Sequence, residues 1–288
     1  MNALISSWKK WLAIGLEEDC ISFDWTGRAT VRANASGEIK ANLISKANGV
    51  WAAELGLDAL RILSHEMGLP LSIKSFVKDG ENIRSKQKIC EWTGSSEAIV
   101  AFERTFINLA SYVSGIATQT RKLVDQVKSS KLKNQARITG TRKTLPGYRD
   151  LSVQATLIGG AHPHRFNLSG GLLIKENHIA AAGGIAQAIA HARSVVPHLL
   201  KIEIEVRTID ELKRAIKAGA EVIMLDNFAP EEIKKAIPLK PKGVIFEVSG
   251  GINSLNLGRF LIEGLDVISV GSITHSVTAL DLSLLVGE

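Results

Sequence analysis

Arg142, Lys143, His164, Arg165 and Lys175 carry the chemistry most plainly written in this chain. Between Ala136 and His178 nine Arg, Lys or His side chains stand among glycines and two prolines. A β-branched run, Ile138 to Thr141, stops at Arg142-Lys143, and a second apolar run, Leu172 to Ile174, stops at Lys175. His164-Arg165 follows Gly159-Gly160 in a stretch that reads as loop, because glycine pairs and X-Pro steps punctuate regular structure. Cations delivered together at strand ends point to an anionic ligand. Arg149, His162 and His178 share the stretch and read as support for its geometry.

Glu205 and Asp226 each close an apolar run. Two readings stay open for them: buried carboxylates paired with basic neighbours, or two acids facing one cavity to bind sugar hydroxyls or Mg2+. Glu203 shares a strand face with Glu205 one layer deeper, farther from any rim, and ranks behind it as a ligand. Ser249-Gly250-Gly251 and Val270-Gly271-Ser272 follow the last two apolar runs. They read either as tight turns without a ligand or as turns whose backbone N–H groups approach a phosphate, with His275 as a further donor. Arg104 and Arg121 fall on a long helical stretch, where the default is a solvent-facing salt bridge.

The elements that must position these groups change in character along the chain. Trp8, Leu12 and Gly15-Leu16 fit one face of a helix. Arg28 to Ala35 and Glu38 to Ser45 alternate around Ser36-Gly37 and read as a hairpin. Leu55 to Met67 has helical spacing, and Leu71 to Val77 with Gln87 to Trp92 has strand patterning across Asp79-Gly80, so the first third reads as a small α+β domain. Glu97 to Val127 is helical with one break expected near Ser114-Gly115. Beyond it come six short apolar strands separated by helices: Ala136 to Thr139, Leu172 to Ile174, Ile202 to Val206, Val222 to Leu225, Val244 to Val248 and Val267 to Val270. That alternation is of parallel-sheet type. A doubly wound sheet and a βα barrel both fit, and the barrel explains more residues, because barrels gather functional groups at the C-terminal ends of many strands and a phosphate site after the last ones.

Composition sets the class. The chain has 288 residues, 45% hydrophobic and 22% charged, enough for one large domain or two modest ones with real cores. Cys20 and Cys90 show no CxxC or Cys/His ligand spacing, which predicts reduced thiols in a cytoplasmic protein. The amino terminus lacks the architecture of a signal peptide, and no run has the ~20 apolar residues needed to span a bilayer. The formal charge of +6 comes without a basic tail, a basic helix or an aromatic ladder, which argues against nucleic acid.

Taken together, Thr141-Arg-Lys-Thr-Leu-Pro-Gly147, His164-Arg165, Ile174-Lys-Glu-Asn-His178, Met224-Leu-Asp-Asn-Phe228, Glu247-Val-Ser-Gly-Gly-Ile252 and Ser269-Val-Gly-Ser-Ile-Thr-His-Ser276 closely resemble the quinolinate phosphoribosyltransferase family, the carboxylating nicotinate-nucleotide pyrophosphorylases. Glu103-Arg-Thr-Phe-Ile-Asn108 and Ser114-Gly-Ile-Ala-Thr118 match as well, and the resemblance runs from about Glu17 to the last residue.

The resemblance implies an incomplete βα barrel of the type II phosphoribosyltransferase kind preceded by an α+β open sandwich domain. The expected domains are 1–112, with a tail of about 276–288 packing on it, and 113–275. It implies Mg2+-dependent transfer of phosphoribose from phosphoribosyl pyrophosphate to quinolinate, giving nicotinate mononucleotide, pyrophosphate and CO2, in a cytoplasmic homodimer. By matching positions, Arg142, His164, Arg165 and Lys175 hold quinolinate, with Arg104 reaching in from the other subunit. Lys143 faces the pyrophosphate, Glu205 and Asp226 face ribose and metal, and Ser249, Gly250, Gly251, Gly271 and His275 cradle the 5-phosphate. Phe23 departs from the pattern, standing where the family usually has glycine. A sister group of pyrophosphorylase-like proteins encoded with molybdate transport shares the barrel and phosphate motifs, and Lys175 with Asn177-His178 favours the quinolinate enzyme. Two further classes remain at this stage: a non-catalytic sugar-phosphate-binding barrel, which would tolerate loss of Lys143 or Lys175, and a nucleic-acid binder, which would show steeply salt-dependent binding.

Overall fold

The computed structural model describes residues 2–31 and 37–287, and the chain divides into two compact units. One comprises the chain up to Arg121, Pro146–Gly160 and the stretch from Val277 onward; the other comprises Lys122–Leu145 and Ala161–Ser276. This division follows packing rather than chain order. No helix among the described residues is long and apolar enough to cross a membrane.

In the first unit α1 (Asn2–Glu18) buries Trp8, Leu12 and Leu16, which recur every four residues and so share one helical face. The expected hairpin around Ser36-Gly37 falls partly outside the described residues. Asp24 accepts the Gly27 N–H at 2.9 Å and starts α2 (Trp25–Thr30), so the first arm begins as a helix, while residues 32–36 lie outside the described residues. The second arm, β1 (Glu38–Ser45), pairs instead with β5 (Lys88–Ser95) and β12 (Leu282–Val286). With β3 (Ser72–Ser75) at the far edge, they make an antiparallel sheet of order β12-β1-β5-β3. Between β1 and β5 also lie β2 (Gly49–Val50), α3 (Glu54–Glu66) and β4 (Asn82–Ile83). Phe23 sits in the 3-10 turn Ile21–Phe23, a right-handed conformation open to any residue.

The break expected near Ser114-Gly115 is absent, and α4 runs unbroken from Ser96 to Lys128. Gly115 serves close approach instead: a Cβ there would stand 2.3 Å from the carbonyl oxygen of Thr278. Arg121 is structural as well, donating to the carbonyls of Ile158 and Gly159. The latter two flank the end of α5 (Arg149–Ile158).

The second unit holds β6 (Arg137–Thr139), β7 (Leu172–Ile174), α6 (Glu176–Ala181), α7 (Ile185–Val195), β8 (Ile202–Val206), α8 (Ile209–Lys217), β9 (Val222–Asp226), α9 (Pro230–Ala236), β10 (Ile245–Ser249), β11 (Val267–Ser269) and α10 (Ser272–His275). All six strands are parallel, in the order β6-β11-β10-β9-β8-β7. β6 and β7 stand at opposite edges, so the barrel is incomplete. Successive strand residues point to opposite faces. On one face Ile138, Ile204, Val206, Ile223, Leu225, Phe246, Val248, Ile268 and Val270 form an apolar core that buries the helices' apolar sides. The other set mixes apolar residues such as Leu173, Met224 and Val267 with the polar Thr139, Glu203, Glu205, Asp226, Glu247, Ser249 and Ser269. A packed barrel fills its interior with branched aliphatic residues; here the inner face carries acids and hydroxyls.

Candidate active site

The C-terminal ends of the six strands surround a cleft of about 590 Å3, within the size range of small-molecule sites. Its lining comes from every strand end: Thr141 to Lys143 beyond β6, Lys175 beyond β7, Glu205 and Arg207 at β8, Asp226 at β9, Ser249 to Gly251 at β10 and Ser269 at β11. Each carboxylate at the rim meets a cation. Lys175 Nζ bonds Glu205 Oε1, and Arg207 bonds Glu176 while its Nε lies 3.6 Å from Asp226 Oδ2. Arg142, Lys143 and Arg165 have no ion pair among the described residues, and Arg142 Nε is buried without a hydrogen-bond partner. Burial and the neighbouring Arg142 charge lower the Arg165 pKa. Cations left unpaired and crowded together gain from an anion.

Beneath the cleft lies a hydrogen-bonded chain. Thr139 Oγ1 and Ser269 Oγ are 2.7 Å apart, Ser269 Oγ bonds Glu247 Oε1, and Glu247 Oε1 lies 3.4 Å from His164 Nε2, with Glu203 Oε2 at 3.9 Å. The ligand atoms of His164, Glu203 and Glu247 fall within 4.8 Å of one another, an arrangement able to hold a metal ion. Burial pushes His164 downward, but the hydrogen bond and charge of Glu247 with the charge of Glu203 outweigh it, and the imidazole titrates above its ordinary value. Burial, aided by Glu247, pushes the Glu203 carboxyl up to about 8.

The glycine turns differ from one another. Gly250 has φ +109°, and a Cβ there would stand 2.1 Å from Asn227 Oδ1, so the position accepts glycine alone without strain. Asn227 itself takes φ +58° and donates from Nδ2 to Asp226 Oδ2 at 3.0 Å. Gly271 has an ordinary φ of −71°, and its constraint is space: a Cβ would lie 3.0 Å from His275 Nε2 and 3.7 Å from Lys143 Cδ.

Residues 116–285 match the quinolinate phosphoribosyl transferase C-terminal domain and residues 24–114 the N-terminal domain. The probable nicotinate-nucleotide pyrophosphorylase (carboxylating) of Bacillus subtilis is 38% identical over 248 residues, covering 85% of this chain and 82% of that protein. The chain belongs to the quinolinate phosphoribosyltransferase family. The human nicotinate-nucleotide pyrophosphorylase (carboxylating) is 33% identical over 287 residues, covering 99% of this chain and 91% of that one. The structure of the nicotinate-nucleotide pyrophosphorylase from Francisella tularensis superposes with a TM-score of 0.86 at 32% identity, covering 98% of this chain and 96% of that chain.

Against the positions that the quinolinate phosphoribosyltransferase resemblance singles out, the structure brings Arg142, Lys143, His164, Arg165, Lys175, Glu205, Asp226, Ser249, Gly250 and Gly251 to one cleft. Gly271 and His275 are not in the lining, though a Cβ on Gly271 would lie 3.7 Å from Lys143 Cδ. Arg104 is exposed on α4, in the first unit. Among the described residues, the group of three whose ligand atoms could share a metal is His164, Glu203 and Glu247. Arg207 lies outside every motif, and Asn227, Glu247 and Ser269 lie within motifs that assign them no role. Their signal is the two-residue strand period, since Arg207 follows Glu205 and Glu247 precedes Ser249 by two.

Proposed function

We infer that this protein transfers phosphoribose from phosphoribosyl pyrophosphate to quinolinate with loss of CO2, giving nicotinate mononucleotide and pyrophosphate. The observation that carries this reading is the set Arg142, Lys143 and Arg165: three cations with no ion pair among the described residues, on one cleft with the Gly250-Gly251 turn. Both substrates are anions and repel one another strongly where water is excluded, so their encounter needs fixed positive charge. Arg142, Arg165 and Lys175 hold the quinolinate carboxylates, with His164 supporting from below. Gly250, Gly251 and the turn at Gly271 with His275 admit the 5-phosphate.

As the pyridine nitrogen bonds the ribose C1 and the C1–O bond to pyrophosphate breaks, positive charge grows on the ring carbon. Glu205 and Asp226 stabilise it, and Lys143 takes up charge on the departing pyrophosphate. The quaternised ring nitrogen then draws the electron pair from the adjacent carboxylate. CO2 leaves, and the ring carbon takes a proton in its place.

Mg2+ fits this site as a companion of substrate phosphates. Glu205, held by Lys175, and Asp226, held by Asn227 and Arg207, would be the residues to hold it. Bound there, it supplies neutralisation of the leaving group. Arg104 serves the site of a second copy of the chain, making the working unit a homodimer whose catalytic half is the barrel unit. Release of labelled CO2 from carboxyl-labelled quinolinate, with and without phosphoribosyl pyrophosphate, tests the reading; no release in its presence refutes it.

A further inference from the structure

Arg207 has no role in the scheme above, yet it stands in the cleft lining. β8 runs between β7 and β9 in the sheet, so the residue just past its end reaches both neighbouring rims. Its Nη1 meets Glu176 Oε2, at the start of the helix after β7, and its Nε lies 3.6 Å from Asp226 Oδ2, at the end of β9. The backbone beneath is fixed. Glu211 Oε2 accepts the Arg207 N–H at 2.7 Å, and Thr208 Oγ1 accepts the Glu211 N–H at 3.1 Å, the N-cap that starts α8.

The Arg207–Glu176 contact does not read as a stability device, because side chains that are 56% and 54% exposed form an ion pair of little worth. A guanidinium has five N–H donors, and the two ion pairs engage only part of the fork. Asp226 also bonds Asn227, whose Oδ1 faces the Gly250 turn, so the Arg207 fork lies on the side of the cleft that takes phosphoribose. A planar fork two residues beyond Glu205 suits the paired oxygens of a diphosphate.

We propose that Arg207 binds the pyrophosphate group of phosphoribosyl pyrophosphate. In the free protein it occupies Asp226; when substrate arrives its fork moves to the diphosphate oxygens and Asp226 is released to the ribose side. The proposal rests on the function inferred above. It accounts for why an acid needed by the substrate is masked by a cation until the substrate brings a stronger anion.

Calorimetric titration of inorganic pyrophosphate with Mg2+, and separately of quinolinate, into wild type, Arg207→Gln and Arg207→Lys tests it. Pyrophosphate affinity is expected to fall about tenfold or more in Arg207→Gln and to recover in part in Arg207→Lys, the size of one lost charge-assisted contact. Quinolinate affinity stays within about twofold in both, as does thermal unfolding, since the pair adds little to stability. Wild-type pyrophosphate affinity in folded Arg207→Gln, or equal losses for both ligands, overturns the proposal. Wild type that binds both ligands but releases no CO2 counts against the function itself, whereas active wild type with an indifferent Arg207→Gln counts against Arg207 alone.

Discussion

Glu247 Oε1 lies 3.4 Å from His164 Nε2, while His164 Nδ1 accepts the backbone N–H of Arg165 at 2.8 Å. Both ring nitrogens are committed, so the neutral imidazole carries its proton on Nε2 and points it away from the cleft. Full protonation would cost the Arg165 contact and is favoured instead by the two glutamates below. Glu247→Gln removes the hydrogen bond and charge that raise His164, so the ring should titrate at lower pH by NMR. A wild-type titration curve in that variant would show that Glu247 does not set the ring's state.

Glu203 makes stability depend on pH. Its carboxyl, ordinarily 4.5, is raised to about 8, chiefly by burial. The folded chain keeps a proton that the unfolded chain releases above 4.5, so this contribution is full below that pH and is lost as pH rises to about 8. The slope is at most roughly 1.4 kcal/mol per pH unit for one proton. Asp79, which burial raises from 3.8 to about 6, adds the same sign in the lower part of that window. Glu203→Gln is fixed in the neutral form and should flatten the fall between pH 4.5 and 8 in denaturant titrations; an unaltered slope would place the proton elsewhere.

Lys175→Ala should lower kcat/KM for quinolinate by more than tenfold, because it removes a carboxylate-binding cation and leaves Glu205 without its partner. The pair is partly exposed, so the melting temperature should move by no more than roughly 4 °C. Wild-type kinetics in the variant would exclude Lys175 from the site.

The two glycine turns should fail differently. Gly250→Ala forces a side chain onto φ +109° and into Asn227, so it should destabilise the fold itself. Gly271→Val meets ordinary backbone angles and crowds His275 and the Lys143 stem first, so it should fold yet lose any thermal protection that phosphate gives wild type. Full phosphate protection in folded Gly271→Val would move the phosphate away from this turn.

Arg104→Ala and Lys175→Ala homodimers should each be nearly inactive if one arginine is donated across a twofold interface. Mixed under subunit exchange, about half the dimers are hybrids with one intact site, and activity should return to roughly a quarter of wild type. A mixture that stays inactive while mass spectrometry detects hybrids would confine Arg104 to its own chain or to no site.

The barrel strands were legible in the sequence because each is a short apolar run ended by a charged or glycine-rich turn, and those signals act over a few residues. The rim cations were legible for the same reason, since Arg142, Lys143 and Lys175 directly follow their strands. Local signals misled where the deciding partner was remote. Gly115 looks like a helix break until the backbone at Thr278 is found against it, and Glu38–Ser45 looks like half of a local hairpin until β5 and β12 claim it. Only the tertiary structure decided that Thr139 and Ser269, 130 residues apart, share a hydrogen bond above Glu247 and His164, and that Arg207 bridges Glu176 and Asp226. Strand order sets those neighbours, and strand order is fixed by which runs pair most favourably across the whole barrel, a sum over distant contacts that no window of sequence contains.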